Sequence, residues 1–221
     1  MSKSAEELAC TPEPLDPHGF NPKALMPHGL QVTHVQSAMQ EFIDFLGFVN
    51  SQLYTKKIQR LESMLMAANF SSMVGEFMVA NMPKYCLSIA KNKFHNGHPD
   101  IIPRGVHPGD AVQYDGDGIE VKASRYDRGW QGHNPEEVFL MVFVFGGNGP
   151  RDDFQGVEAR PFRFKMVVGA KLEKSDWKFA GRSAASRRTI TASVTKSGYD
   201  KMVANWIYMD PTIRRPPSRR G

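Results

Sequence analysis

The chain has 221 residues, 41% hydrophobic and 23% charged, with 28 Lys and Arg against 23 Asp and Glu and a net charge of +5. This composition excludes a disordered polyelectrolyte or a low-complexity chain and is enough for one large domain with a real core. The modest positive excess fits a polyanionic partner, and Arg and Lys crowd from Arg160 onward.

Residues 1–32 are rich in Pro, Gly and His and read as an irregular arm, wrapped on the surface or on a second subunit. Thr33 and Gln36 have capping-box spacing. Val35, Met39, Phe42, Leu46, Val49 and Leu53 follow at steps of three and four, the stripe of an amphipathic helix. A second helix is expected from Lys56 to about Asn69. A third runs from Ser71 or Ser72 to Pro83, since proline is poorly tolerated in a helix interior. The third carries Glu76 among Met73, Phe77, Val79 and Ala80, which leaves two readings: Glu76 sits at the helix edge in water, or it turns into a polar site, because a lone buried acid needs a partner.

From Phe94 the pattern changes to strands. Ile101-Ile102 is short. Ala111 to Tyr114 and Ile119 to Ala123 read as two strands around an Asp-Gly turn. Val138 to Phe145, a continuous apolar run of eight residues, predicts a central strand covered on both faces and is too short to span a bilayer. Phe162 to Val168 and Thr189 to Thr195 alternate as half-exposed strands, and Ser197 to Ile207 reads as a closing helix. Residues 211–221 form a basic tail. Cys10 and Cys86 have no metal-ligand spacing and point to a reducing compartment. With no apolar N-terminal segment, no signal peptide is expected, and the expected location is cytoplasmic, without a membrane.

The chemistry gathers at Pro99-Asp100-Ile101-Ile102 and Gly118-Ile119-Glu120-Val121-Lys122-Ala123. Along a strand, Ile119 and Val121 point one way and Glu120 and Lys122 the other. Asp100 and Glu120, with the backbone carbonyl of Val121, offer the oxygen donors that a hard cation such as Mg²⁺ prefers. Lys122 can position an attacking water or neutralise charge on a phosphate. The rival acids Asp110, Asp115 and Asp117 lie in a loop and a turn, where acids are expected anyway, and no second Glu-x-Lys follows Asp152-Asp153. His95, His98 and His107 cluster near Asp100, either as solvated loop histidines or as part of a transition-metal site. Gly146-Gly147-Asn148-Gly149 lacks the Lys-Ser/Thr of a phosphate-binding loop.

Pro99-Asp100 followed by Glu120-Val121-Lys122 on an apolar strand, with Glu76 on an upstream helix, resembles the PD-(D/E)XK nuclease superfamily, which includes most type II restriction endonucleases. The resemblance covers residues 70–145. It implies a restriction endonuclease-like α/β (α+β) fold, with a mixed central β-sheet flanked by helices, and hydrolysis of DNA with Mg²⁺. On that reading Asp100, Glu120, Lys122 and Glu76 are catalytic, and Asp100, Glu120 and Val121 hold the metal. A single domain over 33–210 would comprise a helical layer (33–90), a catalytic sheet (94–145) and a DNA-contacting region (160–207). DNA contacts are expected from Arg125, Tyr126, Arg128, Trp130, Gln131, His133 and Asn134, and from Arg182, Ser183, Ser186, Arg187, Arg188, Thr189 and Thr191, since Arg, Ser and Thr contact phosphates and base edges. The partners are double-stranded DNA and a second copy of the chain, the broad apolar helix around Phe42 to Val49 being the candidate dimer surface. A cognate methyltransferase is expected in the cell, without a stable complex. A repair or junction-resolving nuclease, or a DNA-binding protein without cleavage, are the alternatives.

Overall fold

The computed structural model describes residues 3–132, 134–180 and 191–213. The elements in chain order are α1 (Ala5–Ala9), α2 (Val32–Thr55), α3 (Leu61–Met64), α4 (Ala67–Tyr85), β1 (Ile89–Lys91), β2 (Ile101–Pro103), β3 (Ile119–Ser124), β4 (Gln131–Gly132), β5 (Phe139–Gly146), α5 (Pro150–Phe154), β6 (Arg163–Lys171), β7 (Trp177–Ala180), β8 (Thr191–Val194), α6 (Lys196–Ala204) and β9 (Trp206–Met209). Six strands form a mixed sheet in the order β1-β2-β3-β5-β6-β9, and β4-β8-β7 form a second sheet. The protein is thus α+β, a mixed sheet flanked by helices. Among the described residues, no helix is long and apolar enough to cross a membrane.

Strand β5 is buried along Phe139 to Phe145, and its alternation divides the core. Phe139, Met141, Phe143 and Phe145 join Phe42, Phe70, Met78 and Met82 of α2 and α4. Leu140, Val142 and Val144 join Trp130, Trp177, Ala192 and Met202 on the other face. Fully burying each such aliphatic or Phe side chain contributes roughly 1.5–3 kcal/mol, so a strand apolar on both faces belongs at the centre of the sheet. Strands β3 and β5 are parallel, with Glu120 opposite Leu140 and Lys122 opposite Val142. Their connection, residues 125–138, contains β4 and so carries a strand of the second sheet.

Several expected elements differ. The arm lies on its own chain: Asn21 N–H donates to the Ile207 carbonyl, Glu13 N–H donates to that of Phe162, and Leu15, Phe20 and Met26 pack on the core. Helix α2 starts one residue before Thr33, with Gln31 as the N-cap, whose N–H donates to His34 Nδ1 at 3.1 Å. The second helix does not form as expected. Lys57 has φ 56°, which ends α2, and the chain then turns through Arg60. That side chain, 1% exposed, bonds Glu6 at 2.8 Å, Glu62 at 2.7 Å and Asn148 at 3.2 Å. A hub of this kind needs an irregular backbone around it, so only the four residues of α3 are helical before α4 begins at Ala67. Pro83 falls in the last turn of α4, which continues to Tyr85. Residues 111–114 are not a strand, because Asn92 takes the place of a ladder: its side chain bonds both the N–H and the C=O of Val112. The closing helix stops at Ala204, where the Asn205 side chain donates to the Leu25 and Gly169 carbonyls, and the chain runs on as β9.

Candidate active site

Asp100 and Glu120 meet because β2 and β3 are antiparallel neighbours, with Ile101 opposite Ile119. Gly118 lets the strands close. A Cβ there would lie 2.3 Å from the Ile101 carbonyl oxygen and 2.4 Å from Pro99 Cγ, so any side chain would push the Pro99–Ile101 segment away from β3. The same segment is held from behind, Asn92 N–H donating to the Asp100 carbonyl and the Asn92 side chain to that of Pro99.

The Asp100 carboxylate accepts from the Val121 N–H at 2.9 Å. The N–H and C=O of one strand residue face the same edge, so the Val121 carbonyl also faces the Asp100 side. On the same face of β3 as each other, Lys122 Nζ donates to Glu120 Oε1 at 2.8 Å. His98 Nδ1 lies 3.0 Å from Glu120 Oε2, and the His98 ring stacks on Tyr114 with centroids 5.5 Å apart. Glu136 is also buried, and His98, Glu120 and Glu136 each place a ligand-type atom within 4.8 Å of the others.

The electrostatics separate the two strand acids. Burial and the charge of Glu120 raise the Asp100 carboxyl to about 7, against the Val121 N–H and Lys122. Burial alone would raise Glu120, but the His98 hydrogen bond and the Lys122 ammonium hold it down at about 2. Burial works against the Lys122 ammonium, yet the Glu120 carboxylate, with Glu136 and Asp100 behind it, holds its pKa above the ordinary lysine range. Burial likewise disfavours the charged His98 ring, and Glu120, then Glu136 and Asp100, reverse the effect and raise it.

The donor set fits a divalent cation. Asp100, driven toward its protonated form, regains a reason to ionise beside one. Each Glu120 oxygen meets one nitrogen and keeps a further lone pair. Those oxygens, with the Val121 carbonyl, make the hard donor set that Mg²⁺ takes.

The structure brings Asp100, Glu120, Val121 and Lys122 together and leaves Glu76 outside. Glu76 pairs with Lys91 at 2.8 Å, its side chain 66% exposed. Helix α4 packs on the face of β3 opposite Glu120 and Lys122, so Glu76 acts on the site only through its charge, which adds to the upward push on Asp100. Arg125 turns inward rather than toward DNA: its guanidinium donates to the Glu62, Gly147 and Asn148 carbonyls and lies over the Phe70 and Phe145 rings. Trp130 is buried and donates its indole N–H to the Tyr126 carbonyl. Tyr126, Arg128, Gln131 and Asn134 are exposed. His133, Arg182, Ser183, Ser186, Arg187, Arg188 and Thr189 lie outside the described residues, and Thr191 starts β8. The rival acids hold local backbone: Asp110 accepts from Gly105 N–H and Asp115 from Asp117 N–H in turns, and Asp152 accepts from Gly149 N–H at the start of α5.

Of the three histidines that the sequence places near Asp100, the structure brings His98 to Glu120, and one site residue, Glu136, escaped the sequence reading. Glu136 carried a usable signal: Pro135-Glu136 precedes the most apolar run of the chain as Pro99-Asp100 precedes Ile101-Ile102.

What the fold and site define is a class, an α+β protein with a buried carboxylate–lysine–histidine cluster on a mixed sheet. Comparison with protein-family models, with curated proteins and with solved structures finds no match in any of the three.

Proposed function

We propose that the chain is a Mg²⁺-dependent nuclease of PD-(D/E)XK type that hydrolyses phosphodiester bonds of double-stranded DNA, and that it acts at a short specific sequence as a type II restriction endonuclease does. The observation that carries this reading is the Asp100 carboxylate on the Val121 N–H, with Glu120 and Lys122 side by side on the neighbouring strand. The mixed order of β1, β2, β3 and β5 supports it, since that part of the sheet places an acid at a strand start and Glu-x-Lys on the next strand.

A divalent cation held by Asp100, Glu120 and the Val121 carbonyl would acidify water and offset charge on the scissile phosphate. Lys122 stays an ammonium at neutral pH, so its role is to orient the attacking water and neutralise charge on the phosphate rather than to take a proton. Attack on phosphorus breaks the bond to the 3′ oxygen and leaves a 5′-phosphate. Glu120 fixes Lys122, and Asp100 gives up its proton as a cation binds, so cation affinity rises as pH rises through about 7.

Exposed Tyr126, Arg128, Gln131 and Asn134 leave β3 directly and form the contact surface beside the phosphate. Phe45 and Phe48, partly exposed on α2, mark the surface for a second copy, which a palindromic site requires. Plasmid incubated with the protein and Mg²⁺ should give discrete fragments with 5′-phosphate ends. Nicking or cutting confined to branched DNA would move the reading to repair, and intact plasmid would remove it.

A further inference from the structure

We propose that His98, Glu120 and Glu136 form a separate binding site for a first-row transition ion such as Mn²⁺, beside the Asp100 position and sharing Glu120 with it. The site does not depend on DNA cleavage. Its donors are already close to the required spacing. Ligand atoms held about 2.0–2.2 Å from one ion lie roughly 3–4 Å apart. His98 Nδ1 and Glu120 Oε2 are 3.0 Å apart, and the three donors all fall within 4.8 Å, a gap that small side-chain rotations close.

The surroundings favour an ion over open solvent. Glu120 is 9% exposed and Glu136 7%, and two carboxylates drawn together out of water require positive charge beside them. Lys122 meets Oε1 of Glu120 and His98 Nδ1 meets Oε2, so an ion bound between His98 and the carboxylates takes the place of a ring proton. The far ring nitrogen of His98, Nε2, is enclosed and has no hydrogen-bond partner among the described residues.

Each donor is also held in place, as outer contacts hold the ligands of known metal sites. His98 is fixed through both backbone groups, its N–H donating to the Gln113 carbonyl and its carbonyl accepting from Asp115 N–H. Glu120 belongs to β3. The Glu136 carbonyl accepts the Trp177 indole N–H at 2.9 Å, so β7 of the second sheet fixes the third donor. One imidazole nitrogen with two carboxylates suits Mn²⁺, Fe²⁺ or Zn²⁺ better than Mg²⁺ or Ca²⁺, which prefer oxygen alone.

The test is Mn²⁺ binding to the metal-free full chain, with affinity counted from the free-ion spin-resonance signal and coordination read from nitrogen nuclear coupling in pulsed experiments. The expected result is a bound ion with imidazole nitrogen coupling that excess Mg²⁺ does not displace. His98→Ala should abolish the coupling. The near-isosteric Glu136→Gln, which keeps the fold, should weaken binding at least about tenfold. Asp100→Asn should retain the nitrogen-coupled ion. Bound Mn²⁺ without nitrogen coupling in the wild type, or unchanged affinity in Glu136→Gln, would overturn the proposal. A nitrogen-coupled ion in a protein that cuts no DNA would leave this site standing and remove the nuclease reading; cleavage without the coupling would do the reverse.

Discussion

Asp100 and Lys122 sit in one polar cluster and are pushed in functionally opposite senses. Lys122 is held charged by Glu120, whereas Asp100 is driven toward its neutral form by burial and by that same Glu120. An acid whose folded pKa is raised binds its proton more tightly folded than unfolded. Stability is therefore lost as pH rises from its ordinary value of 3.8 through about 7. His98, also raised, falls in the same direction at higher pH, and Glu120 titrates well below this window. Comparison with Asp100→Asn isolates the Asp100 part. Between pH 5 and pH 8, metal-free wild type should lose on the order of 2 kcal/mol more stability than Asp100→Asn in urea denaturation, after allowance for solvent screening at a partly exposed group. Equal losses would mean that Asp100 ionises freely. Glu76, paired with Lys91 in solvent, should matter little: Glu76→Ala should lower the cleavage rate less than tenfold, under about 1.4 kcal/mol. A larger loss would place it in the mechanism.

Among the elements, β3 and the loop that leaves it carry most of the site. Arg125 follows β3 and reaches back through it to three carbonyls and two aromatic rings. Removing a buried partner leaves polar groups unsatisfied at about 1–3 kcal/mol. Arg125→Met should therefore lower the melting temperature while the folded fraction binds DNA as before; weakened binding at unchanged stability would return Arg125 to the DNA surface. The sequence placed Arg125 outside because residue type alone does not distinguish a solvated guanidinium from one that caps carbonyls. Where a pattern has a period, it was legible. The stripe from Val35 to Leu53 and the run from Val138 to Phe145 became α2 and β5 within a residue or three, because burial on one face or two leaves its mark at regular spacing. Short elements set by tertiary contacts were not legible. Strand β1 and α3 take their form from a neighbouring strand and from Arg60, and residues 111–114 lose theirs to Asn92. The pair Glu120 and Lys122 was readable because a strand's period of two fixes their face, whereas Glu136 and His98 reach the site by topology.

The whole molecule uses its mixed sheet as a partition. Helices α2 and α4 cover one face with an aromatic core, and β4-β8-β7 with α6 cover the other. The polar cluster sits where β2 begins, at Ile101 opposite Ile119, beyond which β3 has no β2 partner. Asp100 reaches the cluster from that edge, and Glu136 comes from the approach to β5, the neighbour of β3 on its other side. The crossover from β3 to β5 runs through the second sheet, where buried Trp130 anchors the stretch that exposes Tyr126, Arg128, Gln131 and Asn134. On the proposed reading Lys122, paired with Glu120 at 2.8 Å, serves the chemistry rather than the grip on DNA. The most direct test compares wild type and Lys122→Ala on one linear DNA fragment with Mg²⁺, measuring single-turnover cleavage and, with Ca²⁺, the dissociation constant. The account predicts cleavage at least about 100-fold slower in the variant with DNA affinity nearly unchanged. Equal cleavage rates in the two proteins would contradict it.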